Sequence, residues 1–331
     1  MSSSFSSSSS SSATNAGSAA KIPLTRQRVL TFVDSAGRER RLQQRANATV
    51  STDASVPLIN YNSVIYFAEI QINGSPFVVL VDTGSSDLWI SCAYVSGVTC
   101  SAACPARSNV IRYGSGDVCI AGTTARVQIG DVAVDRYVVG VAQGRNVLPT
   151  SSTNLLPGGS QGLLGLAYDT IAVIPTPRGQ FIDYLTSFSI FLTDDAFSDG
   201  SFLLLNAVDD ALIARNKLKG YTIPLKEQAH WTIGMTAFQV GSDTPVFPCS
   251  QESDGATRGC RSIVDTGTSL LTMPNALFSA FAGTHLTPLG CFIPSGSTAS
   301  SGGSNSSSAS TLYVCPTQAR LPRLSFTFGN Y

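Results

Sequence analysis

Two carboxylates carry the chemistry legible in this chain. Asp82 ends the apolar run Phe77-Val78-Val79-Leu80-Val81 and is followed by Thr83-Gly84-Ser85-Ser86, while Asp265 ends Ile263-Val264 and is followed by Thr266-Gly267-Thr268-Ser269. In each copy, β-branched and apolar residues drive a buried strand into an acid, a glycine permits a tight turn, and hydroxyl side chains follow. An ionised carboxylate at the end of an apolar strand is costly unless it is hydrogen-bonded or shares a proton. If the two turns face each other, two negative charges cannot easily coexist and the pair shares one proton. The charged member then deprotonates a water while the protonated member hydrogen-bonds a carbonyl, so the two act together as general base and general acid.

Strands must deliver both acids, and the sequence supplies them. Val64 to Ile72 reads as a strand that turns at Asn73-Gly74 into the first Asp strand, a hairpin signal. Ile111-Arg112-Tyr113-Gly114-Ser115-Gly116 reads as a β-turn between two further strands. Gly162-Leu163-Leu164-Gly165-Leu166-Ala167-Tyr168 follows, with Gly165 suited to close backbone approach. Residues 181–188 have helical spacing and predict a short surface helix. Residues 188–192 and 202–205 predict strands around an acidic turn, and Trp231 to Met235 predicts another. Gly158-Gly159-Ser160-Gln161-Gly162 matches the pattern of a hydrolase nucleophile elbow, with His230 and His285 downstream. The elbow needs a preceding strand, whereas Pro157 and the polar residues before it mark a loop, so the match is a coincidence.

One Asp-Thr-Gly would be a weak signal. Two, each behind an apolar strand, resemble the pepsin-like aspartic peptidases, and the resemblance covers roughly residues 56–331. It implies an all-β, bilobal fold with the cleft between lobes binding an extended polypeptide. It implies that Asp82 and Asp265 activate a water held between them. Ser85 and Thr268 would bond the outer carboxylate oxygens, Thr83 and Thr266 would tie the loops together, and Gly84 and Gly267 would allow the turns. Tyr113, Gly114 and Ser115 match the family's flap, a hairpin closing over the cleft to exclude water and pin substrate backbone, with Trp89 as the hydrogen-bonding neighbour of Tyr113. Residues 162–168 resemble the segment supporting the first catalytic loop, and residues 202–205 and 220–225 the crossover between lobes. The resemblance implies no metal and no organic cofactor.

The eight cysteines fall into local groups, Cys92, Cys100, Cys104 and Cys119, then Cys249, Cys260, Cys291 and Cys315. With no histidine among them and these spacings, disulfides are a better reading than a four-cysteine zinc site. By resemblance Cys249 pairs with Cys260 and Cys291 with Cys315. For the first group, Cys100 with Cys104 and Cys92 with Cys119 is the expectation among the three connectivities that four cysteines permit. Cys119 would place a disulfide near the flap hairpin and stiffen it.

Composition sets the remaining bounds. With 43% apolar and 13% charged residues, the chain is globular with a sizeable core. No apolar run reaches the length of a membrane span. Zero net charge argues against nucleic-acid binding through phosphate contacts. The resemblance implies polypeptide substrates and a monomer. Residues 1–20 are Ser-rich, lack a recognisable secretory signal and read as disordered, yet disulfides imply an oxidising setting, secreted or an acidic vacuolar or lysosome-like compartment. Residues 21–55 hold a basic stretch: Lys21 to Arg45 carries +5, balanced by −5 elsewhere. This resembles the inhibitory pro-segment of aspartic peptidase zymogens, held by ion pairs and released when acid protonates the carboxylates, against the alternative of a solvated basic linker. Asn47-Ala48-Thr49 and Asn305-Ser306-Ser307 are glycosylation sequons, and Asn73-Gly74-Ser75 is one placed in a tight turn.

The lobes are expected at 56–219 and 220–331. Gly165 lies 83 residues after the first Asp, but 66 residues follow the second. The counterpart of the Gly165 segment is therefore expected to be missing beside Asp265, leaving the second lobe incomplete, with residues 296–310 a surface insertion. A second reading follows from this gap, a catalytically weak or inactive relative that binds peptides or regulates.

Overall fold

The computed structural model describes residues 54–328 apart from 62–64, 107, 152–153, 194–199, 244–259 and 294–312. It also describes the backbone of four earlier strands, Ser2–Ser7, Ile22–Pro23, Arg28–Val33 and Ala48–Thr49. Strands dominate, and the α-helices among the described residues are short, Asp210–Arg215 and Asn275–Phe281. No described helix is long and apolar enough to cross a membrane.

The first Asp strand, Ser75–Asp82, is built into a ring. Ile65–Ile72 pairs with it antiparallel through a turn in which Asn73 and Gly74 have φ of 51° and 78°, the left-handed pair that a two-residue hairpin requires. On its other side Gly162–Gly165 runs parallel, with Gly165 opposite Asp82. Gly162–Gly165 then pairs with Leu88–Ser91, Leu88–Ser91 with Val132–Gln143, and Val132–Gln143 with Gly116–Ile129. Gly116–Ile129 returns to Ile65–Ile72 through Val127 and Gln128, so six strands close on themselves. Closure removes sheet edges, and the ring encloses Ile70, Val79, Val81, Leu88, Ile90, Val127 and Leu164, all buried.

A second sheet joins this ring to the rest. Ser187–Leu192 and Phe202–Leu205 form the expected hairpin, and Phe202–Leu205 pairs with Ala54–Tyr61. Arg28–Val33 adds to the other side of Ser187–Leu192. Ser2–Ser7, expected to be disordered, lies as a strand between Arg28–Val33 and Lys219–Gln228. An open strand edge offers unpaired N–H and C=O groups to any extended segment, whatever its side chains. The ion pairs expected of the basic stretch, the use of Asn47 and Asn305, and residues 296–310 lie outside the described residues.

The second lobe hangs on Trp231–Val240, which pairs with Lys219–Gln228, Cys260–Ile263 and Leu324–Phe328. Cys260–Ile263, the strand leading to Asp265, pairs on one side only among the described residues, and no described strand repeats the role of Gly162–Gly165 there. Ile263, Leu270 and Leu271 are correspondingly 51%, 62% and 57% exposed.

Two expectations are corrected. Residues 181–188 are not a surface helix: Phe181–Tyr184 is one 3-10 turn running into the strand from Ser187, and Phe181, Ile182, Tyr184 and Leu185 are all buried. Apolar residues on every side leave no wet face for an amphipathic helix. Gln180 and Asp183 cap the turn reciprocally, and the Tyr137 hydroxyl accepts from the Phe181 N–H at 3.1 Å. The first-lobe disulfides are Cys92–Cys100 and Cys104–Cys119, not Cys100–Cys104 and Cys92–Cys119. A 3-10 turn after Ser91 folds the chain back so that Cys100 reaches Cys92 with the Cα atoms 5.4 Å apart. Cys104 is thereby delivered to Cys119, 5.5 Å away. Cys291–Cys315 forms as expected. Cys260 is disulfide-bonded, and its expected partner Cys249 lies outside the described residues.

Gly165 tests the ring. A Cβ there would lie 2.6 Å from the Asp87 nitrogen and 2.7 Å from the Ser85 oxygen, rigid backbone that cannot give way. Gly165→Ala is expected to lower the unfolding free energy by about 1–3 kcal/mol, read from the urea midpoint. An unchanged midpoint would show that the Asp82 loop is not threaded against this strand.

Candidate active site

Each aspartate is held by its own turn. The Gly84 N–H donates to Asp82 Oδ1 at 2.8 Å and the Ser85 hydroxyl to Asp82 Oδ2 at 2.5 Å. In the second copy the Gly267 N–H donates to Asp265 Oδ1 at 2.7 Å and the Thr268 hydroxyl to Asp265 Oδ2 at 2.5 Å. The repeat in sequence is therefore a repeat of hydrogen bonds.

The two turns face each other. The Thr83 N–H donates to Thr266 Oγ1 and the Thr266 N–H to Thr83 Oγ1, both at 3.0 Å. Each hydroxyl passes its own proton across, Thr83 Oγ1 to the Val264 carbonyl at 2.9 Å and Thr266 Oγ1 to the Val81 carbonyl at 2.7 Å. Glycine is required on both sides of this contact. A Cβ on Gly84 would lie 2.6 Å from the Asp265 carboxyl carbon, and a Cβ on Gly267 would collide with Asp82 Oδ1. The two carboxyl groups lie side by side: the Gly267 Cβ position that meets Asp82 Oδ1 is also 3.2 Å from Asp265 Oδ1.

The environment is asymmetric. Asp82 is 5% exposed, whereas Asp265 is half-buried. Burial first, then the negative charge of Asp265, raises the Asp82 carboxyl from the ordinary carboxylate range to about 7, outweighing the bonds from Ser85 and Gly84 that favour its ionised form. The first loop is also buttressed from behind: the Leu166 N–H donates to the Asp82 carbonyl at 2.8 Å and the Ala167 N–H to the Ser85 carbonyl at 2.8 Å. The Ser86 hydroxyl donates to the Tyr168 carbonyl. Across the lobes, Trp231 Nε1 donates to the Leu166 carbonyl at 2.9 Å, and the Val264 N–H to the Trp231 carbonyl at 3.0 Å. Trp231 thus links the support of one aspartate to the strand of the other.

Above the pair, Asn109–Tyr113 and the start of Gly116–Ile129 form a hairpin with Gly114 and Ser115 at its turn. Trp89 Nε1 donates to the Tyr113 hydroxyl at 2.7 Å. Tyr113 also interacts with Ser85, whose hydroxyl bonds Asp82. Burial pushes the Tyr113 phenol up and the Asp82 charge adds to this, so the phenol keeps its proton. All the sequence-predicted residues of the two turns and the hairpin converge on one place. Ser160 does not: buried, it donates to the Pro157 carbonyl at 2.9 Å.

One participant had no predicted role. Asp87, 1% exposed, accepts from the Val173 and Ile174 N–H groups at 2.9 and 2.8 Å, and burial raises its carboxyl despite those bonds. It pins the segment following the Gly165 strand to the Asp82 loop. Its only sequence signal is an acid inside the apolar stretch Leu88 to Ile90 continues, and the partners lie far along the chain.

The sequence profile of the eukaryotic aspartyl protease family matches residues 65–331, and the chain belongs to that family. Among curated relatives, gastricsin of Macaca fuscata fuscata is 30% identical over 66% of this chain and 59% of its own length. Gastricsin of Oryctolagus cuniculus is 31% identical over 67% of this chain and 58% of its own. Cathepsin E of Mus musculus is 32% identical over 71% of this chain and 59% of its own. The chain thus spans a little under three fifths of the length of these relatives.

Two measurements check this geometry. Thr83→Val keeps the shape but leaves the Thr266 N–H without its acceptor, and is expected to cost about 1–3 kcal/mol in urea unfolding. A cost below a few tenths would mean that the lobes do not meet here. The second is pH-dependent. Asp82 holds its proton in the folded state at pH values where the unfolded chain, with the ordinary carboxylate value of 3.8, has lost it. Its contribution is therefore fully present below about pH 4 and is lost as pH rises towards about 7, by up to roughly 1.4 kcal/mol per pH unit. Asp82→Asn is expected to flatten the fall in Tm across that window relative to the parent, and parallel curves would show that the Asp82 carboxyl is not raised.

Proposed function

We propose that the chain is an aspartic endopeptidase that cleaves extended polypeptides at acidic pH. The observation that carries this reading is the pair of adjacent carboxyl groups, Asp82 and Asp265, pressed together by two facing Asp-Thr-Gly turns. A buried pair of this kind titrates as a unit and holds one proton between pH values set by the pair. In that state it takes a proton from a water placed between the carboxylates and donates one to the scissile carbonyl oxygen. The tetrahedral intermediate then collapses with protonation of the leaving amine, and no acyl-enzyme forms. The pH profile is bell-shaped, since neither the doubly protonated nor the doubly ionised pair does both tasks.

Substrate backbone lies in the cleft under the hairpin, where Gly114 and Ser115 offer main-chain partners and the Tyr113 ring packs over the pair. Both aspartates come from one chain, so a monomer suffices. The disulfides suit a secreted or otherwise oxidising compartment. The basic segment preceding residue 55 is read as a pro-segment, supported by the strand Arg28–Val33 that joins the sheet beside Ser187–Leu192.

Purified full chain incubated with an unfolded protein at acidic pH should release peptides. Pepstatin should abolish the release, Asp82→Asn or Asp265→Asn should slow it about 10²–10⁴-fold, and Ser160→Ala should leave it intact. Cleavage that survives both pepstatin and Asp82→Asn would sink the two-aspartate mechanism. Saturable peptide binding without turnover would make the chain a binding protein instead.

A further inference from the structure

The two first-lobe disulfides lie in series between the two ends of the Trp89–Tyr113 hydrogen bond. Trp89 sits on Leu88–Ser91, and Cys92 follows that strand directly. From Cys92 the covalent path crosses to Cys100, runs four residues to Cys104 and crosses to Cys119 on the outer strand of the flap hairpin. The middle of this strap is tied to the ring: the Ser101 N–H donates to Gln143 Oε1 at 2.7 Å, and the Gly144 N–H to the Ser101 carbonyl at 2.9 Å.

Cys119 occupies the point where the hairpin leaves the body. It is the last residue of Gly116–Ile129 in that direction to pair with Val132–Gln143, opposite Gln143. Gly116, Asp117 and Val118 pair only with Tyr113, Arg112 and Ile111 of the hairpin's other strand. Beyond Cys119 the arm is tethered laterally by Asn146, whose Nδ2 donates to the Asp117 carbonyl at 3.0 Å. Cys119 is 2% exposed, whereas the strap residue it bonds, Cys104, lies at the surface.

We propose that the Cys104–Cys119 disulfide is a hinge clamp that holds the flap closed with Tyr113 on Trp89, making Cys119 and Cys104 positioning residues for polypeptide binding. The proposal rests on the peptidase reading above. A clamped hinge keeps the binding-competent flap highly populated before substrate arrives, and apparent affinity scales with that population. Once bound, substrate itself holds the flap down, so the clamp acts on KM and hardly on kcat.

The test uses the full chain with Cys104→Ala/Cys119→Ala, and Cys291→Ala/Cys315→Ala as a control that removes a disulfide remote from the hairpin. The flap variant is expected to raise KM about tenfold with kcat within about threefold of the parent, and to make tryptophan emission more quenchable by acrylamide. Both tryptophans are buried, but Trp89 is the one that Tyr113 of the hairpin packs on and bonds to, so the added quenching reports Trp89. The control should move neither. Unchanged KM, or matching losses in both double variants, would overturn the clamp. Should the flap variant fold poorly, inserting two glycines after Ala102 lengthens the strap with every disulfide intact and should give the same KM rise. An unmoved KM there would overturn the clamp equally. If the parent chain cleaves nothing, the peptidase reading fails by itself, and quenching then decides the clamp: increased in the flap variant alone it stands, otherwise it falls.

Discussion

Each aspartate in this protein rests against the glycine of the opposite turn, and the rest of the structure depends on that reciprocal contact. Two carboxyl groups cannot be brought together in an apolar setting unless their charge is shared and every remaining lone pair has a donor. The Gly84 and Gly267 N–H groups and the Ser85 and Thr268 hydroxyls supply the donors, and burial together with the Asp265 charge favours a proton on Asp82. The crossed threonine bonds then fix the separation, since each threonine serves as both donor and acceptor for the opposite loop. Both lobes are thereby referred to a single point.

What surrounds that point differs on the two sides. Behind Asp82 stand a closed ring of strands, the parallel Gly162–Gly165 segment and the Asp87 bonds. Behind Asp265 a strand with a single described neighbour carries exposed Ile263, and Leu270 and Leu271 lie open after it. Burial disfavours the ionised form, and it raises the Asp82 carboxyl above the ordinary carboxylate range. Identical triplets acquire different electrostatics from unequal packing.

The hairpin over the pair shows how a rigid body presents a movable part. Its base belongs to the six-stranded ring, its arms project past the last ladder pair at Cys119, and its tip returns to Trp89 through one hydrogen bond from a fully buried indole. Tyr113 is thus referenced to the same strand ladder that positions Asp82, through Leu88–Ser91 and Gly162–Gly165.

The local parts of this arrangement were written in the sequence. Apolar strands ending in Asp-Thr-Gly, the Asn73-Gly74 hairpin, the Tyr113-Gly114-Ser115 turn and the Gly165 segment are short-range patterns, fixed by side-chain period and by backbone freedom at glycine. The bonds of Ser85, Thr268, Thr83 and Thr266 were implied by the resemblance of the doubled motif to a family, not by its spacing. Only the tertiary structure decided the rest. Phe181–Tyr184 became a buried turn because apolar contacts closed on it from all sides, overriding its helical spacing. The first-lobe cysteines paired by where the chain folded back after Ser91, a matter of path rather than spacing. Asp87 found its donors 86 and 87 residues away. The unequal burial of the two aspartates likewise depends on which strands pack behind each loop, and burial is a property of the assembled chain that no pair of matching triplets contains.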